Sequence, residues 1–179
     1  MGSSLRALTR VRGILALLAC GALVASCSLP FARPPSGRAP PLRISEVAGF
    51  GDPARRASLR LVLKGLGADE VQQRQRALGS YEEALRVDPT NPYAYLAIAR
   101  HHAEGEDPEG ALSFLDKADA LLRAEGLLDD RVAPHLIGLR GQALYTSGRL
   151  ASGLEQLEVA WELAPVVWAD GRLTAAELY

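Results

Sequence analysis

The chain has 179 residues, 48% of them hydrophobic, and its 20 basic and 21 acidic side chains leave a net charge of −1. That balance argues against a nucleic-acid partner, because phosphate binding needs a positive surface. Two cysteines and three histidines leave little material for thiolate metal sites, disulfide frameworks or nucleophilic catalysis.

Arg6, Arg10 and Arg12 make a positive start, and no acidic residue precedes Glu46. Ile14 to Val24 is an apolar run too short to span a bilayer comfortably. It leads into Leu23-Val24-Ala25-Ser26-Cys27. This string resembles the lipobox of bacterial lipoproteins: an aliphatic residue, two small residues and an obligatory cysteine after a hydrophobic region. The resemblance implies a signal peptide over residues 1–26, with Val24, Ala25 and Ser26 as recognition residues. It also implies lipid on Cys27 as the new N-terminus, and so a membrane anchor. Ser28 stands where Asp would favour inner-membrane retention, so the resemblance points to the periplasmic face of the outer membrane. No Arg-Arg pair suggests a twin-arginine signal. Cys20 leaves with the signal and the lipid consumes the Cys27 thiol, so the exported domain is expected to be held by its core alone.

Residues 27–51 read as a lipidated N-terminus and linker. Pro30, Pro34, Pro35, Pro40 and Pro41 exclude helix and central strand there, and at about 3.1 Å per residue such a stretch reaches roughly 45–75 Å. Ile44 to Gly51 fits a short strand or a loop equally well. Charge is uneven along the rest. Cys27 to Arg76 carries nine basic and four acidic residues, whereas Ala77 onwards carries eight basic and seventeen acidic. The basic half lies nearest the expected anchor, where it would meet anionic headgroups or simply form a solvated face.

Residues 52–165 read as helical. Asp52-Pro53, Asn91-Pro92 and Asp107-Pro108 each combine a capping side chain with a proline at the first helical position. From Asn91, Tyr95, Ile98, Ala99 and His102 recur at helical spacing until Gly105. From Asp107, Ala111, Leu115, Ala118 and Leu122 mark one apolar face, and Gly126 closes it. The result is a hairpin of two antiparallel helices with small residues where they meet. The same arrangement recurs on both sides. Ala77, Tyr81 and Ala84 match Ala111, Leu115 and Ala118 at an offset of 34 residues, and Gly153, Leu157 and Ala160 repeat them 42 residues further on. Gly65, Ala99 and Gly141 are the matching small residues of the first helices.

This pattern resembles the tetratricopeptide repeat (TPR) family over roughly Leu59 to Pro165, with closing prolines at Pro89 and Pro165. The resemblance implies an all-α solenoid of about three helical hairpins with Tyr81, Tyr95 and Trp161 between neighbours. Lys64 and Arg140 depart from it, standing where the family prefers an aliphatic side chain. Arg123 replaces a closing proline, and about eight extra residues around Glu125 to Val132 follow it. The insertion is expected to splay the second and third hairpins. Residues 166–179 read as a C-terminal cap: Thr174 and Glu177 form a capping-box pattern, and Trp168, Leu173 and Leu178 would cover the end of the stack.

The chemistry-bearing clusters are few. His101-His102 with Glu104 and Glu106 suggests a metal, but adjacent helical residues point about 100° apart and do not converge on one ion. No zinc motif occurs. Gly49-Phe50-Gly51-Asp52-Pro53-Ala54 matches a dinucleotide glycine pattern only on paper, since Asp52-Pro53 reads as a helix start. No catalytic motif sits on a recognisable scaffold. An enzyme, for instance a cell-wall hydrolase using Glu104 or Asp129 with a histidine, is therefore a remote reading, and no cofactor and no metal are expected. By the TPR resemblance, the groove-facing positions are Tyr93, Arg100, Glu104, His135, Gln142 and Tyr145, with Arg100 lacking the second cation of a carboxylate clamp. The leading expectation is a lipid-anchored adaptor holding a protein partner in the cell envelope. Homo-oligomerisation by stacking repeats end to end is the second.

Overall fold

The computed structural model describes residues 40–179. The three capped prolines begin helices as the sequence predicts. Asp52, Asn91 and Asp107 accept backbone N–H groups from Arg55, Tyr93 and Gly110 at 2.8, 3.1 and 3.0 Å. They open α2 (Pro53–Glu70), α4 (Pro92–Glu104) and α5 (Pro108–Ala124). The remaining long helices are α3 (Arg74–Val87), α6 (Ala133–Thr146) and α7 (Leu150–Leu163). Two four-residue helices flank them, α1 (Ile44–Val47) and α8 (Ala175–Leu178). There is no strand among the described residues.

The long helices pair as α2–α3, α4–α5 and α6–α7, and the hairpins stack in that order. Small residues set the spacing. Ala77, Ala84, Ala99, Ala111, Ala118 and Ala160 are all fully buried, in the register that the repeats predict. A Cβ on Gly141 would lie 2.8 Å from the Leu157 nitrogen, and one on Gly153 would lie 2.5 Å from that of Tyr145, so α6 and α7 meet backbone to backbone. Tyr81 is buried across Gly65, whereas Trp161 does not fill a gap between hairpins. It is 52% exposed on α7.

The two ends of the described chain depart from expectation. Residues 40–48, placed in the expected linker, pack against the helices instead. Leu42 and Ile44 are buried, Leu42 N–H donates to the Arg131 carbonyl at 3.0 Å, and Arg131 Nε donates to the Pro40 carbonyl at 3.0 Å. Ile44–Val47 is helical rather than strand or loop. The C-terminal segment has the capping box at Thr174 and Glu177, but it does not cover the end of the stack. It returns over the first helices. Trp168 lies where a Cβ on Gly138 of α6 would be, α8 packs on α2, and the Tyr179 carbonyl accepts the Ser45 N–H at 2.9 Å. The face that α2 and α6 would otherwise expose is therefore covered by the chain itself.

A buried polar cluster joins the first two hairpins. Asp69, near the end of α2, receives Arg100 of α4, His101 Nδ1 at 2.9 Å and the Tyr81 hydroxyl at 2.9 Å. Arg100 also donates to Glu104 at 2.8 Å. Burial alone would raise the Asp69 pKa, but the His101 hydrogen bond and the Arg100 charge outweigh it and hold the carboxyl below its ordinary 3.8. A second tie lies outside it: Arg55 of α2 pairs with Asp88 before α4 and with Glu125 after α5, the latter at 2.9 Å.

Two outcomes follow for unfolding by denaturant. Trp168→Ala, at a side chain only 2% exposed, is expected to cost about 3–5 kcal/mol, while Glu83→Gln on the exposed face of α3 changes stability by less than about 0.5 kcal/mol. A depressed carboxylate stabilises the fold above its ordinary pKa, and that contribution is lost as pH falls through and below that value. Wild-type stability is thus expected to decline below about pH 4. Asp69→Asn, which leaves buried Arg100 with only the solvent-facing Glu104 as countercharge, costs about 3–5 kcal/mol at neutral pH and flattens the decline. An unchanged acid profile in Asp69→Asn would refute the assignment.

Candidate functional site

The six positions expected to face a groove do not form one. Tyr93, Arg100 and His135 are buried. Arg100 is committed to Asp69 and Glu104, so its charge is spent inside the fold. His135 Nε2–H donates to the Leu42 carbonyl at 2.8 Å, and burial pushes its pKa down, keeping the ring neutral. Glu104 is partly exposed and holds Arg100 and, at 3.6 Å, Arg74. Gln142 is half-buried, and its Oε1 has no hydrogen-bond partner among the described residues. Tyr145 presents an exposed aromatic side chain. The TPR resemblance places these residues on an inner face. In this chain Arg100 turns to Asp69 of α2, and the segment at Leu42 lies against His135.

The histidine pair does not converge. His101 faces Asp69, whereas His102 Nδ1 bonds Asp107 at 2.8 Å and its ring stacks on Phe114 with centroids 5.1 Å apart. Among the described residues, no group of three or more His, Cys, Asp or Glu side chains is placed to hold a metal ion. Cys27 and its recognition residues Val24, Ala25 and Ser26 lie outside the described residues. No described helix is long and apolar enough to cross a membrane.

An open cleft does exist, on the opposite side from the expected groove. It lies between α5, α6 and α7 and has a volume of about 430 Å³. Its floor is apolar, made by Leu128, Leu136, Ile137 and Val159, and its rim is charged, with Asp119, Arg123, Arg140 and Glu155. The insertion after Arg123 shapes it. Gly126 turns the chain at φ +67, Leu127 N–H closes on the Leu122 carbonyl at 2.8 Å, and Leu128 from the insertion enters the floor. Asp129 then accepts N–H groups from Arg131 and Val132 at 2.9 and 3.0 Å and turns the chain into α6. Arg140 bridges to Asp116 at 2.8 Å across the α5–α6 joint, while Arg123 is held by Asp119 at 2.9 Å along α5.

This site is absent from the sequence expectation, although two signals pointed to it. Arg140 stands at a position where the repeat pattern calls for an aliphatic residue. The eight-residue insertion falls where the second and third hairpins meet. Neither signal states which side of the stack opens.

No protein-family model and no curated protein matches the sequence. Among solved structures, the chain is similar to the N-terminal domain of stress-induced protein-1 (STI-1) from C. elegans, at a TM-score of 0.55 and 19% identity, covering 72% of this chain and 98% of that one. At that identity the likeness carries the fold alone. Together with the stacked hairpins and their repeat register, it identifies the described region as a TPR-like all-helical repeat fold.

Proposed function

We propose that the chain is a lipid-anchored adaptor of the bacterial cell envelope, which binds a segment of another envelope protein in the cleft between α5, α6 and α7. The observation that carries the protein-binding part is the cleft itself. It is a concave apolar floor ringed by both signs of charge, on a scaffold with no metal cluster among its described residues. An amphipathic segment suits it. Apolar anchors would displace water from Leu128, Ile137 and Val159, and polar groups at its edges would meet Arg123 and Glu155. The anchoring part is supported by Leu23-Val24-Ala25-Ser26-Cys27 after a charged and then apolar start, and by the proline-rich stretch that follows. Ser28 after the cysteine favours the periplasmic face of the outer membrane.

Two measurements test the two parts separately. Cys27→Ser is expected to abolish incorporation of labelled fatty acid in cells and to release the chain from membranes; labelling that survives the change would refute the anchor. Val159→Arg fills the cleft from an exposed position on α7. It is expected to weaken capture of the partner by at least about ten-fold, the equivalent of one lost anchor, in crosslinking on native envelopes with helicity unchanged. A partner profile identical to wild type would show that the cleft is not the binding surface.

A further inference from the structure

The register of the repeats carries a second interface, centred on Trp161 and Glu158 and sharing Glu155 with the rim of the cleft. At the joint between the second and third hairpins, Asp116 of α5 pairs with Arg140 of α6. The offset of 42 residues that maps α5 onto α7 places Glu158 at the position of Asp116, Leu154 at that of Leu112 and Trp161 at that of Asp119. The offsets of 34 and 42 that relate the first helices place Lys64 of α2 at the position of Arg140. Each end of the stack therefore repeats one half of an internal joint, with the charge signs of that joint preserved.

Both halves are exposed. On α7, Leu150, Leu154 and Trp161 are each more than half exposed on one stripe, with Glu155, Glu158 and Glu162 on the stripe beside it. On α2, Arg60 and Lys64 are exposed, and half-buried Arg56, Ala57 and Leu61 adjoin them. Lys64, Arg60, Glu155 and Glu158 have no ion-pair or hydrogen-bond partner among the described residues. At the internal joint the equivalents of Leu154 and Trp161, Leu112 and Asp119, are half-buried, so a first helix packed on α7 would cover part of Leu154 and Trp161. One end is basic and the other is acidic with an apolar strip.

We propose that copies of this chain stack head to tail, with α2 of one copy docked on α7 of the next and Lys64 paired across the joint with Glu158. The joint continues the internal hairpin stacking, so its two surfaces differ and it does not close on itself. It builds a series of dimer, trimer and longer forms rather than a symmetric dimer alone. Trp161 is the apolar anchor and the charges fix register and polarity.

The test exploits composition: Lys64 and Lys117 are the chain's two lysines. The full chain, purified in detergent, is treated with a water-soluble carbodiimide, which joins an amine to a carboxylate only where the two are in contact. The expected result is a ladder of covalent oligomers whose digests contain a Lys64–Glu158 link between copies. Lys64→Glu should reduce the ladder at least about ten-fold, because it removes the reactive amine from the joint and sets like charges together. The double variant Lys64→Glu, Glu158→Lys should restore it through the reversed pair. No ladder from wild type, a ladder undiminished in Lys64→Glu, or no recovery in the double variant would overturn the proposal. Failure of the cleft reading is seen separately, because the ladder is read on the purified wild-type chain without the envelope partner, whereas the cleft is scored by partner capture alone.

Discussion

A two-helix hairpin has more apolar surface than its own two helices can cover. Each hairpin here buries one seam internally, through Gly65, Ala99 or Gly141 in the first helix and the alanines and Gly153 in the second. Its other faces need a neighbour, and this need governs the architecture. The middle hairpin has neighbours on both sides and its first helix, α4, is almost wholly buried. The flanking hairpins have one each. The chain solves part of that deficit with its own ends, laying residues 40–48 and 164–179 against α2 and α6. The face of α7 remains uncovered, and its exposed Leu150, Leu154 and Trp161 are the remainder.

The two internal joints are held by different physics. Between the first and second hairpins, Asp69, Arg100, His101 and Tyr81 form a cluster closed off from water. There a lost partner strands a charge in low dielectric, so the joint is intolerant of change. Between the second and third, the Asp116–Arg140 bridge is solvent-facing: Asp116 is 68% exposed and screening limits what the pair contributes. The insertion adds Leu128 rather than a tight turn, and the cleft opens there. A buried first joint and a solvent-facing second one place an accessible concavity beside a closed, ion-paired contact.

Self-coverage also changes what a TPR-like surface means in this chain. Solenoids of this kind expose an inner face of first helices for ligands. Here Trp168 lies over Gly138, Leu42 accepts the His135 N–H, and the capping box orders α8 against α2. The Trp168 indole N–H, the Gln142 carbonyl oxygen and His135 Nδ1 are buried without hydrogen-bond partners among the described residues. The chain's own segments therefore cover that face largely by shape and apolar area, and match its polar groups only in part.

By itself the sequence determined the six long helices and their pairing. Asp-Pro and Asn-Pro caps, the small-residue spacing and the offsets of 34 and 42 are local or periodic signals, and each has a direct geometric meaning along a helix. They were enough to locate the hairpins, the buried alanines and the capping box at Thr174. Only the tertiary structure decided which faces stay open. Arg100 and His135 look like groove residues in the repeat pattern, yet burial depends on residues 31 to 93 positions away: Asp69 for one, Leu42 for the other. Periodicity assigns a residue to a face of its own helix. It carries no information about which distant segment lies against that face, because that is settled by the competition of non-local apolar surfaces for cover.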